Sequence, residues 1–212
     1  SVCVVAGSVY CWGSIVNSQA PVKLDGTDNA SSISVGDDFA CAIVAGSVKC
    51  IGNNSQGQLG QGNYSATTGV VTVTGISDAT KIVTGAQFAC ALSSSNNTYC
   101  WGNNSAKQIS NSAVNQPTRV PTAFIGVVGL SAGDNFLCAM ATDASISCAG
   151  DNSKGQSAYL EVSAKPLSPG KMTSLKSVSA GANTTCAISQ TNQLICWGQI
   201  EPKLTSNATY VD

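Results

Sequence analysis

The chain has 212 residues, a formal net charge of −1 and only 10% charged residues. Its basic residues are all lysine except Arg119 and are scattered, so there is no basic stripe of the kind that binds nucleic acid. No apolar run approaches the ~18–20 residues needed to cross a bilayer. The absence of histidine removes the commonest acid–base and triad partner.

In chain order, the dominant feature is a repeated pair of cysteines. The first unit, Cys3 to Cys11, ends in Cys11-Trp12-Gly13. The second opens with the apolar alternation Ile33-Ser34-Val35-Gly36, continues through Cys41-Ala42-Ile43 and ends in Cys50-Ile51-Gly52. The third repeats this as Ile82-Val83-Thr84-Gly85, Cys90-Ala91-Leu92 and Cys100-Trp101-Gly102. The fourth reads Leu130-Ser131-Ala132-Gly133, Cys138-Ala139-Met140 and Cys148-Ala149-Gly150. The fifth reads Val178-Ser179-Ala180-Gly181, Cys186-Ala187-Ile188 and Cys196-Trp197-Gly198. Successive first cysteines are 38, 49, 48 and 48 residues apart, and a period near 50 is that of propeller blades. Alternation bounded by turn residues predicts strands, with hairpins at 3–11, 41–50, 90–100, 138–148 and 186–196. One all-β domain of five repeats over residues 1–212 is expected, a β-propeller.

A hairpin places its two cysteines opposite one another, near disulfide distance. Five disulfides are expected: Cys3–Cys11, Cys41–Cys50, Cys90–Cys100, Cys138–Cys148 and Cys186–Cys196. Each contributes about 2–3 kcal/mol in the chain-entropy model. Zinc binding fails on spacing, since no pair is Cys-x-x-Cys and no histidine is available. A disulfide framework points to an extracellular or cell-surface location. So do seven Asn-x-Ser/Thr triplets, at Asn29, Asn53, Asn63, Asn96, Asn103, Asn183 and Asn207, as candidate glycosylation sites. The glycines before the first cysteine are expected at a bend or close backbone approach, and the tryptophans in packing between blades.

The unit Ser179-Ala180-Gly181 through Cys186-Ala187-Ile188 to Cys196-Trp197-Gly198 resembles the regulator of chromosome condensation repeat. Its following loop stands in Gly52-Asn53-Asn54-Ser55-Gln56-Gly57-Gln58-Leu59-Gly60, and recurs around Asn103-Asn104 and Asp151-Asn152. The resemblance covers essentially the whole chain and implies a propeller, seven-bladed in the best-known members. This sequence has five units. Phe39, Phe88, Phe136 and Thr184 stand where the family commonly has histidine two residues before the first cysteine position.

The first unit lacks a strand before Cys3, while the segment Asn207-Ala208-Thr209-Tyr210-Val211 is surplus at the other end. The expectation is that this last strand completes the first blade and closes five blades into a ring. No catalytic constellation stands out. Asp37-Asp38 is the only acidic couple before a cysteine, and solvation is its expected role. Asp151-Asn152-Ser153-Lys154-Gly155 only faintly resembles a calcium loop, because Lys154 intrudes and a distal glutamate is missing. The reading is therefore non-enzymatic, with no catalytic residue, metal or cofactor. Such a scaffold would use its propeller loops, including Tyr64 and Tyr159, for protein–protein recognition. Two alternatives remain. One is a self-assembling structural subunit of an extracellular filament or surface coat. The other is a lectin whose amide-rich loops bind glycan.

Overall fold

The computed structural model describes residues 1–157, 163–167, 175–199 and 209–210. Every regular element among them is a strand. β1 (Val2–Ala6), β2 (Ser8–Gly13) and β3 (Ser18–Lys23) form a three-stranded sheet. β4 (Ala30–Val35), β5 (Phe39–Val44), β6 (Ser47–Gly52) and β7 (Thr67–Thr72) form the second sheet in chain order. The third contains β8 (Ala79–Thr84), β9 (Phe88–Ser93), β10 (Thr98–Gly102) and β11 (Gln116–Pro121). The fourth contains β12 (Val127–Ala132), β13 (Phe136–Ala141), β14 (Ile146–Gly150) and β15 (Ser163–Leu167). The fifth contains β16 (Leu175–Gly181), β17 (Thr184–Ser189), β18 (Leu194–Gly198) and β19 (Thr209–Tyr210).

The two-residue period of a strand explains how these blades stack. Along β5, Phe39, Cys41 and Ile43 join Ala89, Ala91 and Trp101 of the third blade in one core. The alternate residues Ala40 and Ala42 face back into a core with Val9 and Cys11 of the first. The pattern recurs at the next junctions, where Phe88, Cys90 and Leu92 meet Leu137 and Ala139, and Phe136 and Cys138 meet Ala187 and Trp197. Large side chains on the forward face of one blade thus meet mostly small ones on the backward face of the next.

Hydrogen bonds between successive blades run round the inner rim. Asp37 N–H donates to the Ala86 carbonyl at 3.1 Å, Ala86 to Asp134 at 3.0 Å, and Asp134 to Ala182 at 3.0 Å. The glycine just before this rim explains the paired Phe. A Cβ on Gly36, Gly85 or Gly133 would overlap the ring of Phe39, Phe88 or Phe136. It would also come within 2.6–2.7 Å of a carbonyl oxygen on the following blade. In the fifth blade Thr184 replaces the Phe, and nothing lies within 4 Å of such an atom on Gly181.

The cysteines of each hairpin are register partners and all five pairs are disulfides, with Cα atoms 4.0–4.1 Å apart. Two residues later the register shifts at the glycine of the Cys-x-Gly in the first four blades, as between Cys50 and Gly52, where φ is +118°. This bulge bends the chain away from the hairpin, and its positive φ favours glycine.

Closure differs from expectation. Thr209–Tyr210 does not join the first blade. It lies parallel to β18, with Thr209 opposite Ile195 and Tyr210 opposite Cys196. That is the station held in other blades by the antiparallel β7 and β11, where Val71 opposes Cys50 and Val120 opposes Cys100. The outer edge of β18 is the nearer free edge, and pairing there closes a much shorter loop than a return to β1. Asn207 and Val211 lie outside the described residues.

Candidate recognition face

Each β5-type strand starts, and each β6-type strand ends, on one face of the molecule, which therefore carries the long connections among the described residues. Residues 53–66 and 103–115 link the second hairpin strand to the outer strand in the second and third blades, whereas the first blade uses only 14–17. The opposite face has tight turns such as Ala45-Gly46.

The long loops share one internal geometry. Asn54 Oδ1 accepts from Leu59 N–H at 2.9 Å, Asn104 Oδ1 from Ile109 at 2.7 Å, and Asn152 Oδ1 from Ser157 at 2.7 Å. Gln58, Gln108 and Gln156 each accept a backbone N–H two residues earlier through Oε1. All six amide side chains are buried. Repetition of Asn and Gln therefore encodes loop construction, and these amides are not displayed for sugar.

Each loop also inserts between two blades. Leu59 sits in the core shared by the second and third blades, and Ile109 in that shared by the third and fourth. A Cβ on Gly102, Gly150 or Gly198 would lie 3.3, 2.8 or 3.1 Å from Gln58, Gln108 or Gln156 respectively. Trp101 Nε1 donates to the Gln58 carbonyl at 2.9 Å. At the fifth blade Thr185 Oγ1 takes the corresponding Gln156 carbonyl, also at 2.9 Å, and Trp197 Nε1 has no partner among the described residues.

Between the first two blades no such loop exists, and a groove of about 780 Å³ opens there. Ile15, Val16, Ile51 and Val70 supply apolar wall, and Gly52 lies in the lining. Asp38 is at its edge. One carboxylate oxygen accepts from Asn53 Nδ2 at 2.5 Å, while the other, Oδ1, is buried without a partner among the described residues. The residue expected to be merely solvated is thus half committed to the fold.

The loops of the second and third blades are tied to each other. Asn115 Nδ2 donates to Gln56 Oε1 at 2.6 Å, Gly62 N–H to the Pro117 carbonyl at 2.7 Å, and Tyr64 hydroxyl to the Asn115 carbonyl at 3.4 Å. Tyr64 and Val114 remain 49% and 62% exposed, an apolar ridge on this face. Near the axis a depression of about 310 Å³ is edged by Asp37 and Asp134. Burial, and then the Asp37 charge, raise the Asp134 carboxyl above its ordinary value. Tyr159 lies outside the described residues.

The triplets fall into two groups. Asn29, Asn63 and Asn96 are exposed. Asn53 and Asn103 donate through Nδ2 to Asp38 and Gln87, the nitrogen a glycan would occupy, and Asn183 Oδ1 accepts from Gln156. Asp151 spends its carboxylate on Ser153, accepting from N–H at 2.9 Å and from the hydroxyl at 3.2 Å. Among the described residues no group of three potential metal ligands occurs, and no helix is long and apolar enough to cross a membrane.

Radially stacked antiparallel blades with their inner strands around an axis define a β-propeller. The regulator of chromosome condensation (RCC1) repeat matches residues 79–108, 127–156 and 175–199. The matched segments are RCC1-type repeats, and the fold they build is an RCC1-type β-propeller. Among solved structures it is similar to yeast RCC1 (Prp20) bound to Kap60, at 20% identity and a TM-score of 0.78, over 91% of this chain and 52% of that one. Human WBSCR16 aligns at 19% identity and a TM-score of 0.75, over 85% of this chain and 50% of that one. The ectodomain of the Physcomitrella patens receptor kinase CR4 aligns at 22% identity and a TM-score of 0.62, over 96% of this chain and 51% of that one. The chain spans about half the length of these proteins. No curated protein matches its sequence.

Proposed function

We propose that this chain is a non-enzymatic extracellular protein that recognises a protein partner through its loop face. The observation that carries the reading is the gathering of the long loops 53–66 and 103–115 on one face, tethered to each other, with Tyr64 and Val114 exposed on them. Held loops bind with little ordering cost, and exposed aromatics are enriched where proteins meet. Five disulfides support an oxidising compartment. The same fold occurs in a receptor kinase ectodomain, and yeast RCC1 is itself bound to the protein Kap60. Burial of the loop amides weighs against the lectin reading.

The test is affinity capture from the fluid surrounding the source cells, comparing the wild type with a Tyr64→Ser, Val114→Ser double variant. Both positions are exposed, so the variant should keep its melting temperature. A partner retained by the wild type and released by the variant is expected. Equal capture by both, or capture of nothing, would overturn the proposal. Intact mass before and after reduction tests the compartment: each disulfide should add two hydrogens, and glycan mass is expected at exposed Asn29, Asn63 or Asn96.

A further inference from the structure

We propose that the groove between the first two blades is a binding seat for a glutamine-bearing turn of a partner protein, a turn in which an aliphatic residue follows the glutamine. The inference rests on the loop face being a recognition surface and names the chemistry that one part of it accepts. The chain supplies the template. At three other blade junctions the same place is filled by its own loop, with Gln58, Gln108 or Gln156 lying against Gly102, Gly150 or Gly198. The next residue inward is aliphatic in two cases, Leu59 and Ile109, and both are buried between blades. The equivalent glycine of the second blade is Gly52, and it lines the open groove.

Two further features fit an incoming turn. At the fifth blade the inserted Gln156 donates through Nε2 to Asn183 Oδ1 at 3.4 Å. The residue in that register position at the groove is Asp38, and it lines the groove. The Asp38 carboxylate is an acceptor for the carboxamide N–H of an incoming glutamine, in the place where Asn183 accepts from Gln156. Second, the residue after the second cysteine is Ile51 here instead of Trp. Trp101 needs the carbonyl of an inserted loop for its indole N–H. Ile51 has no such donor, so the seat stands open without orphaning one. Ile15, Val16 and Val70 then offer the aliphatic side chain a surface like that which Leu59 finds in its own junction.

The probe is a cyclised peptide carrying the chain's own loop, Asn53 to Gly60, titrated against the intact protein by fluorescence anisotropy. Expected is saturable binding that weakens at least about tenfold, the loss of one charge-assisted hydrogen bond, for a Gln58→Glu peptide, which sets a second carboxylate against Asp38. A Leu59→Asp peptide should weaken similarly. On the protein, Val22→Glu alters an exposed residue of the groove and should also weaken binding about tenfold, by putting a charge against the aliphatic group. Val128→Glu, exposed on β12 away from the groove, should leave it unchanged. Melting temperatures of both variants establish that they fold. No saturable binding up to millimolar peptide overturns the proposal, as does equal binding of the Gln58→Glu peptide or equal binding by Val22→Glu. The Tyr64/Val114 capture result is independent of these outcomes, so the seat can fail while the loop-face reading stands.

Discussion

At the scale of single residues, two glycines at one repeat position separate a site where packing requires glycine from one where it does not. Gly85 lies under the Phe88 ring and against the Gly133 carbonyl, whereas Gly181 faces open space. Gly85→Ala should therefore lower stability by roughly 1–3 kcal/mol or more, as overpacking does, and Gly181→Ala by much less. Urea unfolding of both variants checks this, and equal losses would mean that the Phe ring is not the cause. Turn residues give the opposite sign. Ala45 and Gly46 have φ of +47° and +78°, and alanine is strained there, while Asn-Gly suits such a two-residue hairpin turn. Ala45→Asn should raise stability by about 1 kcal/mol in the same assay. Asp134 gives a pH dependence. Because its folded value is raised, first by burial and then by Asp37, the folded state holds that proton more tightly than the unfolded chain. Its contribution to stability is therefore lost as pH rises above the ordinary carboxylate value and recovered as pH falls through the folded one. Asp134→Asn should raise the melting temperature at pH 7 and have a smaller effect at pH 3; a larger gain at pH 3 would contradict the assignment.

At the scale of the element, the disulfides cross-link hairpins and also form part of the packing between them. Cys41, Cys50, Cys90, Cys100, Cys138 and Cys148 are buried in the cores between blades. Replacing Cys90 and Cys100 together by alanine should cost about 2–4 kcal/mol, combining loop entropy over a ten-residue separation with lost sulfur packing. Cys3 is only half buried, so the same change at Cys3 and Cys11 should cost less, and chemical unfolding of the two double variants compares them. Hairpin positions were legible in the sequence because strand period, turn residues and cysteine pairing all agree on them. Loop function was not. Asn and Gln in a solvent-facing loop look like ligand contacts until hydrogen bonds such as Asn54 to Leu59 show them consumed internally. The groove was equally hidden: its signal is the four-residue turn 14–17 where the other described connections are far longer, and a short loop becomes informative only once the long ones are seen to fill a junction. The last strand misled for a related reason, since a loose sequence match cannot say which of two free edges is nearer.

At the scale of the whole molecule, stability is distributed along a line of neighbours. Each interior blade is packed on both faces, so its free energy includes two junctions; the first and fifth each gain one among the described residues. The consequence is visible in exposure. Ile188 and Leu194, at the register positions of Ile43 and Val48, are 40% and 45% exposed where those two are buried. On the first blade Val2 and Val4 are 48% and 43% exposed at the positions where Ala40 and Ala42 are buried. In such nearest-neighbour architectures, local opening begins where a unit lacks a partner. Native-state hydrogen exchange should therefore show β5, β9 and β13 exchanging most slowly and only by global unfolding. Amides of β1, β2, β17 and β18 should exchange through smaller openings, despite hairpins of the same register and the same disulfides. Reduction should widen that difference, because it removes the cross-link that holds a terminal hairpin closed while its outer face is uncovered. If all five hairpins exchange at one rate, before and after reduction, the blades unfold as a single cooperative unit, and the faces carrying Val4 and Ile188 are stabilised by something other than their neighbours in this chain.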